Sequence, residues 1–288
     1  MQNRIWLGIL AGGLALAGCT VQETPIVPSL TPVETGLVLE GKVVSHELAT
    51  IDVARSKAFY GTVFGWTFQD LVTKPRPYTV VLREGVPIGG MFQFLPKDPG
   101  KHNGEWLPMI STANVDAAVE KARAGGATIL SEPRDVPHRG RFALVVDPQK
   151  AVFFFLRASG GDPRDAVAGI NDWIWDELWT SDPSAALGFY GGLFPYQSAV
   201  VTKTITGDYH LLSSGGQPRA GVMKLEAADV RPHWVPFIRV ADVKETVARA
   251  VAAGASVLIE PSQTTRGGLA ALLLDPTSAP IIIQEYNP

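Results

Sequence analysis

The sequence predicts an α+β protein of two tandem domains, each built from two β-α-β-β-β modules. The first observation behind this prediction is an internal repeat. A set of landmarks recurs 130 positions later: Glu47-Leu48, Thr50, Asp52 and Phe59-Tyr60-Gly61 return as Glu177-Leu178, Thr180, Asp182 and Phe189-Tyr190-Gly191. Later landmarks recur 128 positions apart: Trp106 as Trp234, Gly126 as Gly254, and Asp147-Pro148 as Asp275-Pro276. One folding unit is duplicated, so any cleft it forms is expected twice.

The second observation is the order of strand and helix signals within one repeat. Val43–Thr50 has strand character, and Asp52 suits an N-cap because its carboxylate can accept the first free amide protons of a helix. Apolar residues at helical spacing continue through Phe64, and Gly65 is typical of a helix end. Three strands are predicted to follow, at Trp66–Leu71, Tyr78–Arg83 and Val86–Phe94.

The same order then occurs again before the repeat ends. Leu107–Ala113 is predicted as a strand, Asn114 as a cap and Val115–Ala124 as a helix that Gly125-Gly126 closes. Further strands are predicted at Thr128–Leu130, Arg141–Asp147 and Ala151–Leu156. The second copy carries the same signals, with Pro183 after Asp182 at a first helical position and Asp242 with Glu245 as a capping-box variant.

Residues 1–19 have the pattern of a bacterial export signal. Arg4 precedes an apolar run from Ile5 to Leu16, which is too short to span a bilayer as a mature helix. Leu16-Ala17-Gly18-Cys19 resembles the lipobox of bacterial lipoproteins, in which the cysteine is acylated and becomes the first mature residue. A plain secretory signal with an incidental cysteine is the alternative. The resemblance implies a lipid anchor at Cys19 on a membrane of the cell envelope. In a Gram-negative cell, Thr20 in the next position implies the outer membrane, facing the periplasm.

Composition and spacing divide the rest of the chain. Residues 20–41 carry three prolines among polar residues and are predicted to form a flexible tether. Domain 1 is predicted at 42–158, a linker at 159–169 and domain 2 at 170–288. Cys19 is the one cysteine of the chain, so the sequence holds no disulfide framework and no thiolate metal site. Lys and Arg total 25 against 28 Asp and Glu, without a block of like charge, so we expect no nucleic-acid partner.

The ordered motifs resemble the vicinal oxygen chelate superfamily, which includes glyoxalase I, bleomycin-resistance proteins and extradiol dioxygenases. In the first module the resemblance is carried by Asp52, Phe59-Tyr60 and Phe64-Gly65-Trp66. In the second it is carried by Val115-Asp116, Gly125-Gly126-Ala127 and Asp147-Pro148. It covers residues 42–157 and 170–286. It implies two tandem glyoxalase-like domains, each with a curved mixed sheet around a cleft, and a monomer that contains an internal pseudo-dimer.

In metal-using members of that superfamily, ligands come from the first strands of both modules and from the last strand. Counting from the aspartate landmarks places these positions at Ser45, Leu107 and Phe154 in domain 1, and at Trp175, Val235 and Ile282 in domain 2. A divalent ion needs several N or O ligands, which these residues do not supply, so we expect no metal and no other cofactor. A register slip of one residue would bring His46 or His233 into consideration. At the predicted register His46 faces the helix layer or solvent.

Glu47 and its repeat Glu177 are the candidate catalytic residues. By strand parity with position 45, Glu47 faces the cleft, whose far wall holds Phe153–Phe155 in domain 1 or Ile281–Ile283 in domain 2. A carboxylate beside apolar surface has a raised proton affinity, which suits a general acid or base. The alternative is a structural glutamate that accepts from backbone amides or pairs with an arginine such as Arg141 or Arg83.

Aromatic and basic side chains supply candidate ligand-binding residues. The candidates are Trp66, Tyr78, Trp106, Arg141 and Phe154 in domain 1, and Trp175, Tyr209 and Trp234 in domain 2. Core or domain-interface positions are the alternative for most of the aromatic ones. Trp175 is expected to fill part of the second cleft, and the donor-rich loop 134–141 belongs to the first. We therefore expect domain 1 to hold the more open site, for an anion or a carbonyl group.

Two functions from different classes remain open at this point. The first is a membrane-anchored protein that binds a small, partly apolar molecule in a metal-free cleft, for which bleomycin-resistance proteins are the nearest model. The second is a lyase or isomerase acting on an α-carbonyl compound, with Glu47 as general base. A metal-dependent dioxygenase would need ligands that the counted positions do not provide, and a purely structural envelope lipoprotein would leave the duplicated cleft unused.

Overall fold

The computed structural model describes residues 26–72, 77–95, 104–204, 207–227, 229–263, 266 and 269–287. The predicted export signal and Cys19 lie outside these residues. None of the helices in the described ranges is long and apolar enough to cross a membrane.

Domain 1 contains eight strands and two helices in the predicted order. They are β1 (Val43–Thr50), α1 (Val53–Phe64), β2 (Thr67–Leu71), β3 (Tyr78–Arg83), β4 (Val86–Gln93), β5 (Glu105–Ser111), α2 (Val115–Ala124), β6 (Thr128–Val136), β7 (Gly140–Val146) and β8 (Val152–Ala158). Strand β6 runs six residues beyond the predicted Leu130, because it stays paired with β7 as far as Val136 opposite Gly140.

Domain 2 repeats this order. Its elements are β9 (Trp173–Thr180), α3 (Pro183–Leu193), β10 (Gln197–Thr204), β11 (Gly207–Ser214), β12 (Gln217–Lys224), β13 (His233–Val240), α4 (Val243–Ala252), β14 (Ser256–Ile259), β15 (Ala270–Leu274) and β16 (Pro280–Glu285). The four predicted N-caps are confirmed, since each side-chain oxygen accepts the amide hydrogen three residues on: Asp52 from Arg55, Asn114 from Ala117, Asp182 from Ala185 and Asp242 from Glu245.

Each domain forms one curved eight-stranded mixed sheet. The strand order is β2-β3-β4-β1-β5-β8-β7-β6 in domain 1 and β10-β11-β12-β9-β13-β16-β15-β14 in domain 2. The two modules of a domain meet where their first strands pair antiparallel, at β1 with β5 and at β9 with β13. Helices cover one face of each sheet and the other face forms the cleft, so β1 and β9 lie at the centre of the clefts. The predicted fold is confirmed.

The helix layers join the two domains. The core around α1 includes Phe59 and Tyr60 together with Val243 and Ala250 of α4, and a second core combines α2 with α3. The Tyr60 hydroxyl donates to Asp275 at 3.1 Å, and its counterpart Tyr190 donates to Asp147 at the same distance. Because each hydrogen bond links one domain to the other, the chain contains an internal pseudo-dimer with two equivalent contacts.

The last part of the predicted flexible tether differs from the prediction. Leu30 is 3% exposed and packs with the cleft-facing side chains of domain 1. Thr35 N donates to Gly160 O at 2.8 Å, and Leu39 N donates to the Asp162 carboxylate at 2.6 Å. From Ser29 onward the segment is therefore held against domain 1, because Leu30 finds apolar neighbours there and the backbone finds hydrogen-bond partners.

Candidate functional site

The two predicted glutamates lie on the cleft faces of their sheets. Glu47 is in the middle of β1 between Gly90 of β4 and Leu107 of β5, and Glu177 has the same place between Gly221 and Val235. The adjacent residues Leu48 and Leu178 point the opposite way, into the helix-side cores. Both carboxylates are buried, with 5% of Glu47 and 1% of Glu177 exposed.

In domain 2 the Glu177 carboxylate has a partner on each oxygen. Oε1 accepts from the Tyr209 hydroxyl at 2.9 Å and forms an ion pair with Arg266, while Oε2 accepts from Trp179 Nε1 at 3.0 Å. We refer to Glu177, Tyr209 and Arg266 as the Glu177 cluster. Burial and the neighbouring Glu177 charge raise the pKa of Tyr209, so its phenol stays a neutral donor.

Domain 1 contains the corresponding residues Glu47, Tyr78 and Arg139 in a looser arrangement. The Tyr78 hydroxyl donates to Glu47 Oε1 at 2.8 Å, and Arg139 Nη2 donates to that hydroxyl at 3.4 Å. Arg139 is 2% exposed, and among the described residues its Nε and Nη1 and the Glu47 Oε2 have no hydrogen-bond partner. Burial raises the pKa of Glu47, and the Arg139 charge and the Tyr78 hydrogen bond oppose that shift in part.

A glycine on the neighbouring strand makes room for each tyrosine. A methyl group at Gly221 would lie 2.6 Å from Tyr209 Cζ, and one at Gly90 would lie 2.5 Å from Glu47 Oε2 and overlap Tyr78. Neither glycine was among the residues predicted for the site. Their signal was available, because a glycine inside a strand often marks a close approach by another group.

The more open of the two clefts is in domain 2, whereas domain 1 was expected to have it. Domain 2 has a cavity of about 560 Å³, bounded by the Glu177 cluster at one end and by apolar side chains that include Trp179, Phe237 and Ile282. In domain 1 the corresponding side chains, such as Met109 and Phe154, pack against one another and against Leu30. The expectation that domain 1 is the more open is therefore wrong, because the segment before β1 enters its cleft and Trp175 leaves room in the other.

Three of the predicted ligand-binding tryptophans are not in a cleft. Trp66, Trp106 and Trp234 are buried in the helix-side cores. Trp106 Nε1 donates to the Tyr60 hydroxyl at 2.6 Å and Trp234 Nε1 to that of Tyr190 at 3.2 Å. Trp106 and Trp234 are core residues because strand parity turns them away from the cleft. Trp66 precedes β2 and stacks on Tyr60 in the helix-side core.

Arg141 is also not in the cleft. It lies on β7 and pairs with Asp116 at 2.7 Å and with Asp135 at 3.0 Å on the outer face. The cleft arginine is Arg139, which precedes the strand and so does not follow its alternation. Its counterpart Arg266 lies between β14 and β15, also outside a strand.

Tyr78, Tyr209, Phe154 and Trp175 do lie at the clefts. The two tyrosines contact the glutamates, and Phe154 forms part of the packed wall of domain 1. Trp175 Nε1 donates to the Tyr209 hydroxyl at 2.9 Å, beside the Glu177 cluster. The alternative of a glutamate that pairs with an arginine applies to Glu177, but through Arg266. Arg83 pairs with Glu84 and Asp172 instead.

The histidines weighed as metal ligands have other partners. His46 lies on the helix side of β1, where its Nε2 is 2.7 Å from the carboxylate of Asp176, and its ring packs on Trp173. His233 Nδ1 is 2.8 Å from Arg231 O. In the described part of the chain no three His, Cys, Asp or Glu side chains come together as a metal site. Among the described residues, Glu47 and Glu177 each lie beside a guanidinium, whose positive charge repels a cation, so these residues do not fit the metal used by some members of the superfamily.

Comparisons with known proteins agree with this architecture. The family model for the glyoxalase/bleomycin resistance protein/dioxygenase superfamily matches residues 42–154, and a glyoxalase-like domain model matches residues 174–283. The anthracycline biosynthesis protein DnrV of Streptomyces peucetius is 32% identical, with 84% of this chain and 92% of DnrV covered. CFP32 of Mycobacterium tuberculosis, whose name describes it provisionally as a glyoxylase, is 29% identical over 81% of this chain and 90% of its own. The Mn(II)-bound glyoxalase from Novosphingobium aromaticivorans has a similar fold, with a TM-score of 0.60 at 13% identity, covering 86% of this chain and 83% of the glyoxalase.

Proposed function

The chain belongs to the glyoxalase/bleomycin resistance protein/dioxygenase superfamily, and from this premise we propose that it binds a small, partly apolar molecule in the cleft of domain 2 without a metal ion. We propose further that it is exported and anchored through Cys19 to a membrane of the bacterial envelope, the outer membrane in a Gram-negative cell. The internal pseudo-dimer makes a monomer sufficient.

The observation that carries the binding proposal is the cavity beside the Glu177 cluster. Its volume of about 560 Å³ lies within the range of small-molecule sites, and its walls are mainly apolar with a few polar groups at one end. Trp179 offers a flat face to a ring, and Arg266, whose guanidinium lies over the Phe237 ring, offers hydrogen-bond donors. This division of the lining suits a ligand with a flat apolar body and a polar group at one edge.

Two further observations support the proposal. The lining fits no divalent ion, which favours binding by shape and hydrogen bonds. The name of DnrV places that relative in the biosynthesis of anthracyclines, whose ring systems are flat and largely apolar. Export and anchoring are supported by the pattern of residues 1–19, which ends in Leu16-Ala17-Gly18-Cys19.

Binding is tested by titrating a panel of planar aromatic compounds, 4-methylumbelliferone among them, into the chain from Thr20 onward, which contains every described contact. Titrations include EDTA, and tryptophan fluorescence reports binding. Ile259 lines the cavity and is 43% exposed, so Ile259→Trp should block the cavity and abolish binding without disturbing the core. The matched variant Val251→Trp, at an exposed position on α4, should bind as the wild type does. Absence of binding across the panel, or equal binding by Ile259→Trp, rejects the proposal.

A second candidate function is proton transfer at Glu47 on an α-carbonyl compound. The observation that favours it is the buried carboxylate with one free oxygen, a raised pKa and a nearby guanidinium that would stabilise an enolate. In such a step Glu47 takes the proton next to the carbonyl, the C–H electron pair forms the enolate, and the proton returns at the other carbon or from solvent. Leu30 would have to move for a substrate to enter.

Deuterium exchange at the α-carbon of methylglyoxal–thiol hemithioacetals, followed by NMR in D₂O, tests this second function. Glu47→Gln should lower exchange by about 10²–10⁴-fold. Glu132→Gln, at a site on β6 away from both clefts, should have no effect. Wild-type exchange no faster than in buffer would eliminate it.

A further inference from the structure

The Glu177 cluster lies midway along the cleft face of β9, with a tryptophan on each side. Trp175, Glu177 and Trp179 alternate along this face, and the side chains between them point to the helices. Trp175 Nε1 bonds the Tyr209 hydroxyl at one end of the cluster, and Trp179 Nε1 bonds Glu177 at the other. The cavity of domain 2 lies on the Trp179 side.

A second cavity, of about 1030 Å³, begins on the Trp175 side. It lies between the domains, bounded by the first halves of β1 and β9, the starts of β4 and β12, and the linker segment 163–168. Tyr209 and Arg266 line both cavities. The Glu177 cluster therefore lies at the boundary shared by an apolar chamber in domain 2 and a larger chamber between the domains.

Most charged side chains around the interdomain chamber are paired, and Arg164, which also lines it, is exposed. Asp165 pairs with Lys42 at 3.0 Å and with Arg219 at 2.7 Å, and Asp176 pairs with His46 at 2.7 Å. An anion or a cation bound there would have to compete with these pairs. Among the described residues, Ser45 Oγ, His46 Nδ1 and Arg219 Nε are buried without a hydrogen-bond partner. The buried part of the lining thus combines donors and acceptors with charges that are already paired, which matches a neutral, hydroxyl-rich group.

We infer that the ligand has two parts and occupies both chambers: a flat apolar ring system in domain 2, carrying a neutral, hydroxyl-rich substituent such as a sugar in the interdomain cavity. The inference rests on the proposed binding function and names its ligand class. Tyr209 and Arg266 then contact the linkage between the two parts, where both chambers meet. Trp175 supplies an aromatic face of the kind against which sugar rings pack.

The experiment compares 4-methylumbelliferone with 4-methylumbelliferyl β-D-glucopyranoside on the chain from Thr20 onward. The glucoside should bind at least tenfold more tightly, because it fills both chambers. Gln217 is exposed and lines the interdomain chamber but not the chamber in domain 2. Gln217→Trp therefore narrows the interdomain chamber without touching the core. This variant should reduce glucoside affinity to that of the aglycone, while aglycone affinity stays within twofold of the wild type. Val251→Trp again serves as the matched control.

The outcomes separate this inference from the proposed function. Binding of both probes with equal affinity, or a glucoside preference that survives Gln217→Trp, overturns the two-part ligand and leaves binding in domain 2 intact. Binding of neither probe overturns the two-part ligand, and the wider aromatic panel then decides whether domain 2 binds flat molecules. The tenfold preference, lost in Gln217→Trp and kept in Val251→Trp, supports the inference.

Discussion

Replacing Gly221 by alanine tests whether a glycine in β12 is what allows Tyr209 to reach Glu177. The new methyl group would lie 2.6 Å from Tyr209 Cζ, well inside the 3.4 Å at which ordinary van der Waals contact begins. The ring must therefore move by about 1 Å, which breaks its 2.9 Å hydrogen bond to the Glu177 carboxylate. A hydrogen bond to a charged group contributes about 1.5–3 kcal/mol, and the bond from Trp175 about 1 kcal/mol more.

Alanine also reduces the entropy of the unfolded chain relative to glycine, which offsets about 0.4–1 kcal/mol of the loss. We expect Gly221→Ala to lower the free energy of unfolding by about 2–3 kcal/mol, measured by urea denaturation. In a Tyr209→Ala background the nearest remaining atom is Glu177 Cγ at 3.1 Å, and the same substitution should cost less than about 1 kcal/mol.

Gly191→Ala is the matched control for this experiment. Gly191 lies in helix α3, with no atom within 4 Å of the added methyl group, so alanine should stabilise the protein by about 0.5–1 kcal/mol. An equal cost of Gly221→Ala with and without Tyr209 would refute the reasoning, since the steric conflict would then not involve the tyrosine.

Three further predictions concern the anchor, the segment before β1 and a buried histidine. Cys19→Ala should abolish incorporation of radiolabelled palmitate and move the protein out of the membrane fraction; unchanged labelling contradicts the anchor. Leu30→Asp should speed limited proteolysis within residues 26–40, whereas Val33→Asp, at a 79% exposed position, should leave the rate unchanged. Burial lowers the pKa of His233 from its usual 6.5. Its imidazole therefore binds a proton at higher pH in the unfolded chain than in the folded one, and the free energy of unfolding falls as the pH drops below 6.5. His233→Asn should show a smaller loss of unfolding free energy than the wild type between pH 7.5 and 5; an equal loss would assign the pH dependence to other groups.

Local signals in the sequence were enough to predict the modules. Aspartate or asparagine before each helix identified the four caps, and the repeat fixed the number of domains. Strand alternation also put Glu47 on the cleft face and His46 on the other, because side chains of neighbouring strand residues must point apart.

The remaining features depend on contacts between residues far apart in the chain. Arg139 and Arg266 reach the clefts from loops, where strand alternation gives no direction. Leu30 enters a cleft whose shape is formed by strands more than 70 residues away, such as β5 and β8. Sequence periodicity carries no information about which segment will cover such a surface. The open cleft was predicted from Trp175 and the loop 134–141 alone, and therefore in the wrong domain.

The hydrogen-bonded pair between His46 and Asp176 makes the contact between the two domains asymmetric. These residues occupy equivalent positions in the two repeats, and the internal symmetry brings them face to face at 2.7 Å. Two copies of domain 2 joined in the same way would place two buried Asp176 carboxylates against each other. Two copies of domain 1 would place two His46 imidazoles against each other, without a carboxylate to accept from them. Divergence at this one position has made the halves of the interface complementary instead of identical. The contact therefore favours pairing of domain 1 with domain 2, and the chain contains both.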